Sequence, residues 1–466
     1  MQVTMTDAMR VDDDTSKRFA LFITTLAAFL SPFAMSSVNI ALPSIGKEFL
    51  MDAVLLSWVS TAYLLASAMF LVPFGKIADI YGRKKIFTYG ITTLTLASIG
   101  CAISNSPLLL ICFRALQGIG SAAIYCIGAA IITSIFPSEE LGKVLGINVA
   151  AVYLGSSCGP FIGGFLTYRL GWRSIFLIIV LLGSIIIAFI SWKLKGEWRE
   201  EEGKQFDLTG SIIYIVTLLL VMYGFSHLST MLGVWLILLG GLGILAFIKW
   251  ETKIEGPVLD ISLFRNNRVF ALSNLATLIN YSATFAVTFL LSLYLQYIKR
   301  LTPENAGFIL IPQPIVQSLV SPIAGRLSDR IEPRIVASVG MALTAIGLFL
   351  LVTLDEKTTL GFIVATLILL GFGFALFSVP TINGVMSSVE NRFYGMASGM
   401  LGTMRAMGMV FSMGITILIF SIYIGDVQII PEYYPVFLRC MKLAFSFFAA
   451  LCIGGIFASL ARGKVR

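Results

Sequence analysis

The stretch Gly146–Gly164, GINVAAVYLGSSCGPFIGG, carries five glycines and a proline inside an apolar window long enough to cross a membrane. Glycine weakens a helix and proline removes a backbone donor, so this composition needs a reason. In lipid, helices associate by close packing, and residues without side chains let another backbone approach. Gly155, Gly159 and Gly163 recur every four residues and form one bare stripe. Pro160 releases the carbonyl of Ser156 and is expected to kink the helix. A kinked, closely packed helix suits a pivot or a seal between two moving bodies.

The rest of the chain places that stretch in a bilayer. The sequence is 57% hydrophobic and 12% charged, with a mean hydropathy of +0.91. That leaves too little charge to cover a soluble surface. Fourteen apolar windows of roughly 20 residues each recur, the first near 19–42 and the last near 437–461. The N-terminal MQVTMTDAMRVDDDTSKR is polar and leads into a full-length apolar run, so no cleavable signal peptide is expected.

An even number of spans puts both termini on one side. The loops on the opposite side hold Lys47, Arg169, Arg173, Lys299, Arg300 and Lys357, while Arg114, Arg405, Arg439 and Lys442 fall within windows. The rest of the 33 lysines and arginines lie on the side of the termini. The positive-inside rule therefore places both termini in the cytoplasm of a multi-pass plasma-membrane protein. The net charge of +8 reads as attraction to anionic lipid and not to nucleic acid.

Cys101, Cys112, Cys126, Cys158, Cys440 and Cys452 all lie in windows and form no CxxC pair, which argues against disulfides and metal sites. His227, at the outer end of the seventh window, reads as an interfacial residue. No nucleophile–base pair, Walker loop or HExxH motif occurs, so neither enzymatic chemistry nor a cofactor is expected.

An internal echo organises the chain. GKIADIYGRKK begins at Gly75 and GRLSDRIEPRI begins at Gly325, pairing Gly75 with Gly325, Asp79 with Asp329 and Lys84 with Arg334. The spacing predicts two six-helix bundles, residues 1–193 and 263–466, around a central path. Residues 194–262 then hold a linker with two extra spans. Repeats of this kind are how many secondary transporters are built.

Here the sequence resembles the major facilitator superfamily, specifically its fourteen-helix drug:proton antiporter branch. The Gly75–Lys85 loop, with Asp79, Gly82 and Arg83, is similar to the superfamily's motif between helices 2 and 3. RALQGIG at Arg114–Gly120 is similar to the helix 4 motif, a buried arginine followed by Gln-Gly. Gly146, Gly155, Gly159, Pro160, Gly163 and Gly164 fit the antiporter motif of helix 5, and VNIALPSI fits the outer end of helix 1. The resemblance implies an all-α major facilitator fold that moves a small molecule against protons by alternating access. It also implies a gating role for the helix 5 glycines and a cytoplasmic latch at Asp79. The chain is expected to act as a monomer in the lipid bilayer.

Polar stripes locate the expected cavity. Arg114, Gln117, Ser121 and Tyr125 share one helix face, and Ser273, Thr277, Asn280, Thr284, Thr288 and Ser292 share another, with Tyr281 and Phe285 beside them. Polar side chains are costly in lipid, so these faces should meet water or protein. Tyr63, Met404 and Met407 are expected to add aromatic and adaptable apolar surface, and Arg405 adds a second mid-span charge beside Arg114.

The pattern departs from cation pumps of that branch at one place. Those carry an aspartate five residues before the asparagine that is Asn39 here, and this chain has Ala34. No carboxylate falls in the middle of any window. The leading expectation is an exporter of drugs or amphiphilic metabolites. The alternatives are a facilitator or importer of an organic, possibly anionic, solute, and a membrane sensor that does not transport.

Overall fold

The computed structural model describes residues 14–136, 138–194, 196–199, 205–228, 230–254, 267–389, 394–425 and 427–463. Residues 1–13, the connection 255–266 and Glu390 lie outside the described residues, as do the outer limits of the expected bundles. Among the described residues the chain is helical, with no strand. In order the helices are α1 (Asp14–Phe49), α2 (Ala53–Tyr81), α3 (Arg83–Ala102), α4 (Pro107–Ile135), α5 (Ser138–Leu170), α6 (Arg173–Lys193), α7 (Leu208–Ser226) and α8 (Met231–Glu251). There follow α9 (Arg268–Leu293), α10 (Pro303–Leu310 and Pro312–Arg330), α11 (Pro333–Val352), α12 (Leu360–Ser387), α13 (Tyr394–Tyr423) and α14 (Tyr434–Ala461). Thirteen of these spans are long and apolar enough to cross a membrane. The exception is α3, whose first turn is basic (Arg83, Lys84, Lys85) and whose body carries Thr88, Thr92, Thr93 and Thr95.

The repeat is visible in the packing. Helix α1 packs on α5, α2 on α4, and α3 on both α4 and α6; eight helices later, α9 packs on α13, α10 on α12, and α11 on both α12 and α14. It is also visible residue by residue, at a spacing of 250 positions. Asp52 caps α2 by accepting the Leu55 N–H, and Thr302 caps α10 by accepting the Asn305 N–H. Helix α3 spans Arg83–Ala102 and α11 spans Pro333–Val352. Leu50 and Arg300, at φ 52° and 54°, are the non-glycine residues with positive φ among those described. A side chain makes that conformation costly, so its recurrence at matching positions reflects one shared turn.

The two bundles meet along two seams that the same repeat relates, α2 against α13 and α5 against α10. Among the described residues, the hairpin α7–α8 packs on the first seam through α7. Tyr214 on α7 donates to the Ala68 carbonyl on α2 (3.0 Å), Trp58 on α2 donates to Ser226 Oγ (3.1 Å), and Ser421 on α13 donates to the Ser226 carbonyl (3.0 Å).

At the end away from the termini the bundles are tied together. Pro43 has no N–H to offer the Asn39 carbonyl four residues back, and that carbonyl accepts the Ser292 hydroxyl of α9 at 2.8 Å. Gln296 donates to the Ile40 carbonyl (2.8 Å), Gln428 to the Leu50 carbonyl (2.9 Å), and the Ala53 N–H to the Val427 carbonyl (3.2 Å). The Phe161 and Phe308 rings meet at 4.8 Å, and Arg169 faces Glu304 at 3.9 Å.

Candidate functional site

A cavity of about 250 Å³ lies between the two bundles. Ser31, Pro32, Met35, Ser36 and Asn39 of α1 line one side, and Tyr63 and Ser67 of α2 stand beside them. Ser121 and Tyr125 of α4 and Tyr153, Ser156 and Pro160 of α5 complete that bundle's contribution. The other bundle supplies Tyr281, Thr284, Phe285 and Thr288 from α9, Gln313 and Gln317 from α10, Phe374 from α12, and Gly402, Arg405 and Met409 from α13. Among the described residues, Arg405 is the one charged side chain in this lining, and no carboxylate joins it.

Of the sixteen residues placed on the expected cavity faces, eight line it: Tyr63, Ser121, Tyr125, Tyr281, Thr284, Phe285, Thr288 and Arg405. Arg114, Gln117, Ser273, Thr277, Asn280 and Ser292 do not; each is buried behind the wall. Arg114 donates from Nε to the Val59 carbonyl (3.0 Å) and from Nη1 to the Ala34 carbonyl (3.3 Å) and Gln117 Oε1 (2.7 Å). Gln117 in turn donates to Ser98 Oγ at 2.6 Å. The guanidinium lies over the Tyr63 ring, 4.5 Å from its centroid, so that ring separates Arg114 from the cavity. Carbonyl dipoles, an amide and a ring face hold the charge without a carboxylate, and Nη2 is left without a hydrogen-bond partner. The Tyr63 hydroxyl donates to the Ser31 carbonyl (2.9 Å) and lies 2.7 Å from Ser121 Oγ. Met404 and Met407 pack in the helix core, and Met409 takes the cavity position.

Arg405 is held differently. Its Nη1 donates to the Tyr125 hydroxyl at 2.9 Å, linking α13 of one bundle to α4 of the other, and its Cζ lies 5.2 Å from the Tyr281 ring centroid. Its Nε has no hydrogen-bond partner. Tyr281 meets Phe374 edge to face, with centroids 5.3 Å apart and planes at 82°. The site therefore combines aromatic surface with one cation whose donors are only partly engaged.

The glycines of α5 divide into two groups. A Cβ at Gly155 would strike the Phe29 carbonyl, one at Gly159 would strike Ser36 and the Ser37 N–H, and one at Gly163 would strike Ser37. All three contacts are with α1, in the same bundle. This corrects the reading of the stripe as a contact between moving bodies: it joins α5 to α1. The contact between bundles is made by Gly164, which faces the Pro303 carbonyl, and by the Pro160 carbonyl, which faces Gly307 of α10. Gly146 has open space around it.

In the loop after α2, Arg83 donates to Asp79 Oδ1 at 3.0 Å, to Ser134 Oγ at 2.6 Å and to the Ala130 carbonyl at 3.2 Å, which ties α2, α3 and α4. Gly82 holds φ 118°, a conformation that favours glycine, and the Glu197 carboxylate of the linker packs over it. Gly75 and Gly325 leave room for a side chain, and Asp329 lies in the last turn of α10.

The chain matches the family model described as Major Facilitator Superfamily over residues 24–250 and 273–464. It is 31% identical over 393 residues to the riboflavin transporter RibZ of Clostridioides difficile (strain 630), covering 84% of this chain and 85% of that one. It is 29% identical over 398 residues to the multidrug resistance protein Stp of Mycobacterium tuberculosis (strain CDC 1551 / Oshkosh), covering 83% and 73%. Among solved structures, a bacterial homolog of the human lysosomal transporter Spinster, in an inward-facing and unoccupied conformation, aligns with a TM-score of 0.71 and 14% identity. That alignment covers 97% of this chain and 98% of the other, and at that identity it speaks for the fold alone. The family match runs through both bundles and the hairpin between them, and the chain belongs to the Major Facilitator Superfamily of membrane transporters.

Proposed function

We propose that this protein exports drugs or amphiphilic metabolites across the plasma membrane in exchange for protons, by alternating access, with both termini in the cytoplasm. The observation that carries the reading is the cavity between the bundles, apolar and aromatic with scattered hydroxyls, beneath an end where the bundles are hydrogen-bonded together. Rocking one bundle on the other would break those ties and expose the same cavity to the opposite side. The helix 5 pattern and the relatives named as multidrug resistance proteins support export. We read residues 1–193 and 263–466 as the moving bundles and residues 194–262 as linker and hairpin, in a monomer. Gating falls to Gly164 and Pro160 at one end, and to Gly75, Asp79, Gly82 and Arg83 with their counterparts Gly325 and Asp329 at the other.

A second reading, a facilitator or importer with the same fold, is favoured by the absence of a carboxylate among the described residues lining the cavity. A buried carboxylate is the usual proton carrier. Proteoliposomes separate the two. With an acidic lumen, an exchanger accumulates an acidic or neutral dye inside, and a protonophore abolishes the accumulation. A facilitator only equilibrates the dye. If no solute of any charge class moves, the transport reading fails.

A further inference from the structure

We propose that Arg405 and the tyrosines around it form an anion subsite, and that the compounds this cavity takes are aromatic molecules bearing an acidic group. The proposal rests on reading the cavity as the transport site.

Arg114 and Arg462 are buried away from the cavity, whereas Arg405 is partly exposed to it. Arg114 makes three hydrogen bonds and stacks on Tyr63, away from the cavity, with Nη2 unpartnered. Arg462 is likewise buried and donates to Ser273 Oγ and the Pro333 carbonyl, with Nε unpartnered, and neither arginine lines the cavity. Arg405 faces the cavity, and among the described residues its one hydrogen-bond partner is the Tyr125 hydroxyl. A guanidinium keeps its charge and has five N–H donors in a planar fork. Phenol hydroxyls and ring faces solvate such a charge but do not neutralise it. A carboxylate, sulfonate or phosphate on the ligand supplies the missing negative charge, and its oxygens match the fork.

The rest of the wall specifies the remainder of the ligand. Tyr281 lies against the guanidinium, and Phe285, Phe374 and Tyr153 line the same cavity with their rings. A lipophilic cation finds the same rings but meets a like charge and no carboxylate, which selects against it.

The position of Arg405 also couples binding to movement. The bond between Arg405 and Tyr125 spans the bundles. An acidic group seated on the fork competes with the Tyr125 hydroxyl for Nη1, so binding loosens one tie that holds the bundles in this arrangement. Tyr125 is then a positioning residue whose removal favours the acid.

The test is equilibrium binding to the full chain in lipid nanodiscs, with protein-free discs subtracted. The two probes share one ring system: anilinonaphthalene sulfonate and its sulfonate-free parent, phenylnaphthylamine. The wild type is expected to bind the sulfonate more tightly by about tenfold or more. Arg405→Gln should bring the ratio close to unity, and Tyr125→Phe should raise sulfonate affinity a few-fold. No preference in the wild type, or a preference that survives Arg405→Gln, overturns the subsite. If Arg405→Gln yields no folded protein, Arg405→Lys decides: a reduced preference supports the fork, and an unaltered one overturns it. A wild type that shows the preference but moves neither probe across a bilayer would keep the subsite and remove the transport reading.

Discussion

The Asn39 carbonyl, left without a helical partner by Pro43, accepts the Ser292 hydroxyl from the opposite bundle at 2.8 Å. The proline of VNIALP thus has a concrete use: it frees one acceptor where α1 faces α9. Beside it, Ser60 donates to Asn39 Oδ1 at 2.6 Å and fixes that side chain against α2. Ser292→Ala removes one hydrogen bond between the bundles and leaves the core unchanged. A net contribution of about 1 kcal/mol corresponds to about a fivefold shift in population toward the state open away from the termini. Labelling of a cysteine introduced at Thr288 by an impermeant thiol reagent measures it. Equal labelling rates in the Ser292→Ala and parent backgrounds would show that this bond does not hold the seal.

The two groups of glycines in α5 predict two phenotypes. Gly159→Ala forces a methyl into Ser36 and the Ser37 backbone within one bundle. It is expected to cost about 1–3 kcal/mol of stability, seen as a lower unfolding temperature in detergent. Gly164→Ala pushes instead on the Pro303 carbonyl across the seam. It is expected to change cysteine accessibility between the two sides with a smaller loss of thermal stability. Identical phenotypes for the two variants would contradict the division.

Ala34 has zero exposure, and its carbonyl accepts Arg114 Nη1. Ala34 does not line the cavity, so an aspartate at this position is placed in the packed wall. Ala34→Asp is expected to give no gain in ethidium export. Arg114→Leu, by leaving Gln117 and two carbonyls without their donor, is expected to lower stability by about 2 kcal/mol. Arg405→Gln should lower it much less, since that side chain makes one hydrogen bond. Increased ethidium export by Ala34→Asp would mean that α1 presents this residue to the cavity in another state of the cycle.

These contrasts mark how far the sequence could be read. Hydropathy and the 250-residue echo were enough for the architecture, because span length and repeat spacing are properties of the chain itself. The recurrence of Leu50 at Arg300 and of Asp52 at Thr302 follows from that echo. The cavity was only partly readable. A stripe at three- and four-residue steps says that residues share a face, not whether the face meets a cavity or a neighbouring helix. Arg114 and Gln117 share their face with Ser121 and Tyr125, yet only the latter two line the cavity. Tyr153, Phe374 and Met409 carried no polar signal, so nothing in the periodicity singled them out. The partner of the glycine stripe was likewise out of reach, because bare backbone fits any close neighbour.

Transport by alternating access requires the bundles to separate at the Arg169–Glu304 end. Cysteines at these two positions, in a cysteine-free background, can be joined by a short thiol-reactive linker that a reducing agent cleaves. Uptake of anilinonaphthalene sulfonate into proteoliposomes is measured before linking, after linking and after reduction. Linking is expected to abolish uptake and reduction to restore it. Uptake that continues at its original rate with the link intact would contradict it.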